Sequence, residues 1–281
     1  MVIDCHTHLN NYKDETVDAL KESLANLQRE MKRNRIDCAV VLTSYTVTPG
    51  RPSTADVVKV TRGLKHLTVV AGISFLNYSP DIIAELRQYL QERSVRGLKL
   101  YPGYEPFFPN DPRMRPVFEL AGEYNVPVMI HTGDTFSSHG KLKYSHPLNI
   151  DDVAVDFPDV KIVICHLGNP WFRDTMEVVY KNANVYTDIS GLVLGDFTDR
   201  FEAYMKKQFQ EMMLYGLEPD KVLYGTDWPI SEMDSYLDFM GELTITHKDK
   251  QKILYDNAAA MFGFTKEDSL IEPPKLSGLF R

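Results

Sequence analysis

Apolar residues in this chain cluster into short runs that are rich in β-branched side chains. Most of these runs are apolar at nearly every position, which is the pattern of strands that are buried on both faces. Such strands are typical of parallel sheets. The predicted strands are Val2–Cys5, Cys38–Thr43, Leu67–Phe75, Val95–Tyr101, Val126–His131, Lys161–His166, Val185–Ile189 and Val222–Gly225.

Longer segments between the strands carry apolar residues every three or four positions, which is the spacing of an amphipathic helix. In the first segment Leu20, Leu24 and Leu27 share one stripe. The predicted helices are Asp14–Arg33, Thr54–Leu64, the stretch SPDIIAELRQYL with Ser79 as its N-cap, Arg113–Tyr124, Asp151–Phe157, Phe172–Asn182, Arg200–Tyr215, Ser235–Leu243 and Lys248–Phe262.

The alternation of strand and helix predicts an α/β fold, specifically a (β/α)8 TIM barrel, with an open doubly wound sheet as the alternative. No linker-like stretch divides the chain, so we expect residues 1–281 to form a single domain. The last segment, residues 272–281, is expected to be a frayed tail or an arm. The arm, packed on the barrel or on a neighbouring subunit, is favoured because Leu279 and Phe280 would otherwise be exposed.

Net charge, cysteine spacing and the length of apolar runs exclude some classes of function. The net charge of -8 argues against a nucleic-acid partner, which requires a concentrated basic surface. The three cysteines, Cys5, Cys38 and Cys165, show no disulfide-like spacing and indicate a reducing compartment. With no signal segment and no apolar run of about 18 residues, we expect a cytoplasmic protein that neither spans a membrane nor is exported.

The opening stretch MVIDCHTHLN places two histidines one residue apart. Along an extended strand, residues two positions apart share a face, so Asp4, His6 and His8 would point the same way. Two imidazoles at this spacing can bind one cation from one side. A chance pair of histidines in an N-terminal loop is the alternative.

Polar side chains also terminate several later strands, at the end where barrels of this kind carry their chemistry. Each of them alone would also fit a cap or an ordinary loop residue. We expect these side chains to lie together at one opening of the barrel. They are Lys99, His131, His166 and Asp227.

Four of these strand-end residues, His6, His8, His131 and Asp227, suit one divalent ion with an open position for water. We expect zinc, with manganese or another ion as the alternative. A bound ion would lower the pKa of that water to about 7, and Asp227 could take up its proton. His166 is interpreted as a neighbouring acid, base or carbonyl polariser rather than a ligand.

Further residues are candidates for positions around the metal. Lys99 would contact the carboxylate of an anionic substrate, or pair with an interior acid such as Asp4. Asp4 is also a candidate for orienting a ligand imidazole. The candidates for lining the substrate pocket are Tyr101, Trp171 and Trp228, and the two tryptophans fit packing roles equally well.

Seven stretches spread over almost the whole chain resemble the amidohydrolase superfamily, in particular the branch that includes aminocarboxymuconate semialdehyde decarboxylase. They are VIDCHTH, GLKLYP, MIHTG, FPDVKIVICHLGNPW, NVYTDISG, LYGTDWP and DNAAAMFGF. The resemblance implies a distorted barrel, frequently a homodimer. It further implies that His6, His8, His131 and Asp227 hold a catalytic metal and that His166 acts on the substrate.

This branch includes hydrolases, non-oxidative decarboxylases and some hydratases, so the resemblance leaves the reaction open. Its decarboxylases generally carry a sizeable insertion after the first strand, whereas the first helix here is predicted to begin near Asp14. The compact connection favours a hydrolase that attacks a small amide, ester or lactone with metal-activated water. A metal-dependent decarboxylase of a small unsaturated or aromatic acid is the alternative.

A non-catalytic metal-binding protein is the remaining possibility outside the enzymes. Structural zinc sites are usually rich in cysteine and use ligand pairs that are close in sequence. The candidate ligands here come from distant strands and include no cysteine. This pattern favours a catalytic ion.

Overall fold

The computed structural model describes residues 1–11 and 19–271. Within them, eight parallel strands form one sheet in which each strand pairs with the next along the chain. This order confirms the predicted (β/α)8 barrel. The strands are β1 Ile3–Thr7, β2 Cys38–Leu42, β3 Leu67–Ile73, β4 Leu98–Leu100, β5 Val128–Ile130, β6 Ile162–Ile164, β7 Val185–Asp188 and β8 Val222–Leu223.

Helices alternate with the strands along the described chain. They are α1 Ala19–Arg33, α2 Thr54–Thr61, α3 Pro80–Gln91, α4 Arg115–Tyr124, α5 Asn149–Asp156, α6 Phe172–Lys181, α7 Asp199–Tyr215, α8 Met233–Glu242, α9 His247–Gln251 and α10 Asn257–Phe262, with a π-helical segment at Lys252–Asp256. The predicted start of the first helix near Asp14 and the predicted arm at 272–281 lie outside the described residues. No described helix is both long enough and apolar enough to cross a membrane.

The strands are apolar at nearly every position because each contributes to two apolar layers. On β2, Val40 packs with Met129 and Cys165 in a cluster of inward-facing residues. The next residue, Val41, packs with helix residues such as Leu27 in a second cluster. Since successive strand residues point to opposite faces, burial on both faces removes any polar alternation.

The barrel closes between β1 and β8 through an irregular seam. Backbone hydrogen bonds cross it from the Cys5 N–H to the Tyr224 carbonyl (2.9 Å), from Asp227 to His6 (2.8 Å) and from His8 to Trp228 (2.8 Å). The register between β1 and β2 also shifts between Asp4 and Thr7. These features agree with the distorted barrel that the resemblance implies.

Asp4 is fully buried at this seam. Its Oδ1 accepts from the backbone N–H groups of His6 and Thr226, both at 3.1 Å, and its Oδ2 accepts from the Thr226 hydroxyl at 2.7 Å. The expectation that Asp4 orients a ligand imidazole is wrong. Its carboxylate hydrogen-bonds backbone and hydroxyl groups that join β1 to the segment after β8, and not a histidine ring.

We expect the Asp4→Asn variant to differ from the wild type in how its stability depends on pH. Burial raises the pKa of Asp4 to about 7, against 3.8 as its ordinary value. Protonated Asp4 is therefore preferred in the folded state, and wild-type stability should fall as pH rises from about 4 to about 7. Urea unfolding at several pH values would measure this, and a wild-type-minus-variant difference that is constant with pH would contradict the assignment.

Candidate active site

A cavity of about 500 Å³ opens at the carboxyl ends of the strands. All six residues that the sequence placed at strand ends line it, namely His6, His8, Lys99, His131, His166 and Asp227. They come from the ends of β1, β4, β5, β6 and β8, so the closed ring of parallel strands brings them together.

His6, His8 and Asp227 form a close group in the cavity, with potential ligand atoms that all lie within 4.8 Å of one another. Asp227 Oδ1 is 3.1 Å from His8 Nε2 and 3.7 Å from His6 Nε2. Burial would raise the pKa of Asp227, but the adjacent His8 and then His6 imidazoles keep it below the ordinary value. Asp227 is therefore ionised at neutral pH.

Hydrogen bonds at the back of each ring determine where the two imidazoles carry their protons. Nδ1 of His6 lies 2.9 Å from Asp188 Oδ2, and Nδ1 of His8 lies 2.9 Å from the Leu42 carbonyl oxygen. Both partners only accept, so both rings donate through Nδ1. Burial lowers the pKa of His6 to about 4, so its Nε2 carries a lone pair at neutral pH.

This donor set fits a divalent metal ion. When His8 is neutral, its Nε2 presents a lone pair to the Asp227 carboxylate at only 3.1 Å. Two acceptors at this distance repel each other unless a proton or a cation lies between them. Two imidazole nitrogens and one carboxylate oxygen are ligands that zinc and related ions accept, with a position left for water or substrate.

His131, the fourth predicted ligand, lines the same cavity but lies outside this group. Its Nε2 donates to the Asp134 carbonyl at 2.9 Å, which leaves Nδ1 with the lone pair. Burial, followed by the charge of His166, lowers the pKa of His131 well below the ordinary value. His131 is therefore a neutral ring that would offer Nδ1 to an ion.

Asp188, which sequence reasoning missed, occupies the position expected for Asp4. It accepts from Nδ1 of His6 at 2.9 Å, from the His166 backbone N–H at 2.8 Å and from the Ser190 hydroxyl at 2.6 Å. Burial acts to raise the pKa of Asp188, but the adjacent His6 ring, which donates to it through Nδ1, holds it below the ordinary value. Its position at the end of the run NVYTD was an available signal.

His166 lies two residues after the end of β6 in a left-handed backbone conformation, with φ 64°. Its Nδ1 is 3.1 Å from the Ser190 carbonyl and 2.9 Å from the Ser190 hydroxyl, whose own proton is directed to Asp188. The ring therefore donates through Nδ1 and leaves Nε2 as a proton acceptor. Burial lowers the pKa of His166, although the Asp227 carboxylate acts against that shift.

Lys99 is fully buried on the inner face of β4 and lines the cavity. Its Nζ donates to Cys165 Sγ at 2.6 Å and lies 5.3 Å from the centre of the Tyr101 ring. The alternative of a pair with Asp4 is not found, because no carboxylate within the described ranges lies at ion-pair distance from Lys99. Its ammonium group therefore adds positive charge to the cavity.

One wall of the cavity is aromatic. The Tyr45 ring lies 5.0 Å from Tyr101 and 5.9 Å from Tyr104, measured between ring centres, and Tyr104 lies 4.6 Å from His131. Tyr101, a predicted pocket residue, is anchored through its hydroxyl to the Thr43 carbonyl at 2.5 Å. Arg51 is half-buried in the same lining and forms no ion pair with any described residue. The wall can thus receive a flat, negatively charged molecule.

The two tryptophans are not part of this lining, contrary to the expectation for the substrate pocket. Trp228 is buried in the apolar layer between strands and helices, because Asp227 faces the cavity and its neighbour turns into the core. Trp171 lies at the start of α6, and its ring contacts His146 with centres 4.6 Å apart.

Comparison with known proteins identifies relatives of this chain. The sequence profile of the Amidohydrolase family matches residues 3–264. A gamma-resorcylate decarboxylase from Rhodococcus jostii is 21% identical over 189 residues, which are 57% of this chain and 57% of that protein. The chain therefore spans little more than half the length of this curated relative.

Solved structures with the same fold cover nearly the whole chain. An uncharacterised TIM-barrel protein from Bordetella bronchiseptica has a TM-score of 0.74 and 22% identity, covering 93% of this chain and 98% of its own. A dihydroxybenzoic acid decarboxylase from a Polaromonas species, solved with bound manganese, has a TM-score of 0.63 and 14% identity, covering 95% and 98%. At these identities the similarity establishes the fold.

Proposed function

The chain belongs to the amidohydrolase family, and from that premise we propose that it is a metal-dependent, non-oxidative decarboxylase of a small aromatic or unsaturated carboxylic acid. One observation carries the proposal: the group formed by His6, His8 and Asp227 shares its cavity with an aromatic wall and with Arg51, which forms no ion pair with any described residue. The names of the decarboxylase relatives support the same reaction.

We assign the metal to His6, His8 and Asp227, with Nδ1 of His131 as a further donor. A divalent ion bound there supplies Lewis-acid polarisation of a substrate oxygen. Zinc is proposed because the donors are mainly imidazoles, and manganese, which the Polaromonas structure contains, is the alternative.

The other cavity residues bind and orient the substrate. Stacking against Tyr45 and Tyr104 would hold a flat ring over the floor of the cavity. Arg51 would pair with one anionic group of the substrate. Lys99, on the inner face of β4, would attract a second anionic group. Because the ring and the charge are bound at separate points, the carboxylate that leaves is held at a defined position.

Decarboxylation breaks one carbon–carbon bond and forms one carbon–hydrogen bond. The electron pair left on the ring carbon takes up a proton, and the carboxylate leaves as CO₂. We assign delivery of this proton to Nε2 of His166, which first takes it up from water at the cavity mouth, because Nδ1 is occupied by Ser190. The ionised Asp227 and Asp188 stabilise the doubly protonated ring while it holds the proton.

Hydrolysis of a small amide, ester or lactone is the second candidate function. It is favoured by the short connection between β1, which ends at Thr7, and α1, described from Ala19. No sizeable insertion fits between those positions. In this reaction the ionised Asp227 would accept the proton of the attacking water, and His166 would serve the leaving group.

A substrate panel separates the two reactions. Metal-loaded enzyme would be incubated with hydroxybenzoates and related unsaturated acids, and separately with small lactones, esters and amides. Mass spectrometry and CO₂ release then identify a product lacking CO₂ or a product with added water. Turnover only in the second group would overturn the decarboxylase proposal in favour of the hydrolase.

Chelation of the metal tests whether the ion is catalytic. We expect removal to abolish turnover while the melting temperature falls only modestly, because the barrel core does not depend on the site. Restoring zinc or manganese separately should recover activity and identify the preferred ion. Collapse of the fold on chelation, with no turnover beforehand, would instead support a non-catalytic metal-binding protein. The homodimer and the cytoplasmic location stay predictions.

Asp188→Asn is expected to weaken metal binding by about 10- to 100-fold. The amide can donate to Nδ1 of His6, which favours the wrong tautomer and places the proton on the ring nitrogen that should bind the ion. Metal titration of the variant would measure the loss. The matched control is Asp196→Asn, an exposed residue of the following loop, which should bind metal as the wild type does.

A further inference from the structure

A second cavity, of about 640 Å³, lies at the opposite end of the barrel. It is formed by the loop between α2 and β3, the loop between α3 and β4, and Asp268 near the end of the described chain. These loops enter the strands at their amino ends, so this cavity is separated from the candidate active site by the packed interior of the barrel. Its volume is in the range of small-molecule sites.

Positive side chains dominate this lining, which we call the basic cavity. It contains Arg62, Lys65, Arg93 and Arg96 against Glu92 and Asp268. Within residues 1–11 and 19–271, none of the four positive groups forms an ion pair. The chain as a whole carries a net charge of -8, so this local excess of positive charge is opposite in sign to the rest of the molecule.

The two acidic residues of the basic cavity have other partners. Asp268 Oδ2 accepts from the backbone N–H and the hydroxyl of Thr265, at 2.8 and 2.9 Å. Glu92 Oε1 accepts from the Gln88 side chain at 2.9 Å. Their charges therefore do not neutralise the arginines through direct contact.

Arg96 is held in place at the inner part of the basic cavity. Its Nη1 donates to the carbonyls of Phe262 and Gly263, at 2.9 and 3.1 Å. Arg96 Nη1 and Arg93 Nη2 lie 3.6 and 4.0 Å from the point where a Cβ on Gly263 would stand, so the two guanidinium groups are neighbours. Burial, and after it the charge of Arg93, lowers the pKa of Arg96. An anion between these groups would relieve their repulsion.

We propose that the basic cavity binds a small polyanion with two or more adjacent anionic groups, such as a diphosphate. A planar guanidinium fixed on one edge presents its other donors in a fork that matches phosphate oxygens. Several positive groups from two loops favour a ligand with more than one charge over a single phosphate. The net negative charge of the chain disfavours an extended nucleic acid.

Calorimetric titration of the metal-loaded enzyme with inorganic pyrophosphate tests the proposal. We expect one pyrophosphate at the basic cavity, with inorganic phosphate binding about tenfold more weakly because it makes fewer charge-assisted hydrogen bonds. ADP, added in a parallel titration, distinguishes a nucleotide from a free diphosphate. Citrate tests whether carboxylates substitute for phosphate groups.

Arg93→Ala should weaken pyrophosphate binding by about tenfold. Arg35→Ala is the matched control, since Arg35 follows α1 as Arg93 follows α3. Both are exposed, and both have left-handed backbone, with φ 56° and 58°, but Arg35 lies outside the basic cavity. Its variant should bind pyrophosphate as the wild type does. The control also separates the basic cavity from any pyrophosphate that binds at the metal, because neither substitution touches that site.

Two results would overturn the proposal. One is no measurable binding of pyrophosphate, ADP or citrate to the wild type. The other is an equal loss of affinity in the Arg93→Ala and Arg35→Ala variants, which would indicate attraction to general surface charge. Circular dichroism of both variants verifies that they fold, and Arg62→Ala provides a second exposed substitution within the same lining.

Discussion

Replacing Asp227 with asparagine is expected to lower kcat/KM by about 1,000-fold or more while the protein remains folded. Asp227 is the carboxylate of the ligand group, 3.1 Å from His8 Nε2 and 3.7 Å from His6 Nε2. Asparagine keeps the shape but removes the negative charge that a divalent ion requires. Asparagine is also suited to the backbone, since Asp227 has φ 69°, a region that asparagine tolerates.

Steady-state kinetics, metal content and melting temperature should be measured together for Asp227→Asn. The expected result is loss of activity and weaker metal binding with a melting temperature near that of the wild type. Asp196→Asn, at an exposed residue that does not line the cavity, should keep full activity. An asparagine variant at Asp227 with wild-type turnover would remove both the ligand role and the proton-transfer role.

Replacing His166 with asparagine is expected to lower kcat by about 100- to 10,000-fold, with metal content and substrate affinity largely kept. His166 lies outside the group of His6, His8 and Asp227, so its loss should not release the ion. Its ring directs Nδ1 to Ser190 and leaves Nε2 for the substrate. Asparagine again fits the left-handed backbone, here φ 64°, so a folding defect is not expected.

The pH profile of kcat distinguishes proton delivery by His166 from a purely structural role. If His166 delivers the proton, the variant should lose the change in kcat with pH that follows the protonation of His166. A packing defect would instead lower kcat by the same factor at every pH. His146→Asn serves as the control, because the His146 ring contacts Trp171 outside the cavity lining. Equal loss of metal and of activity in His166→Asn would instead identify His166 as a ligand.

The carboxylates show where reasoning from sequence reached its limit. Asp4 and Asp188 both lie in apolar strand runs, and the shared face of Asp4, His6 and His8 made Asp4 the natural partner for a ligand ring. In the structure, Asp4 accepts a hydrogen bond from Thr226 at the seam, and Asp188 accepts one from His6. Which of the two meets the imidazole depends on the stagger of β1 against β7 and β8, and spacing within one strand carries no information about stagger.

Lys99 illustrates a second limit. Its place at the end of β4 is evident from the sequence, and so is that of Cys165 after β6, but their contact of 2.6 Å runs across the barrel interior. Residues that are far apart in the chain meet there because closing the sheet points their side chains at one axis. The same closure turned Trp228 into the core while Asp227 faced the cavity.

The sequence by itself determined the alternation of buried strands and amphipathic helices, and with it the barrel and the six strand-end residues that line one mouth. These depend on local periodicity and on the rule that parallel strands end together. Only the tertiary structure decided which three of those residues lie close enough together to be candidate ligands of one ion, which carboxylate orients His6, and that four positive groups line a cavity at the far end. Those outcomes depend on the stagger of the strands and on contacts between loops distant in the chain, which no local pattern encodes.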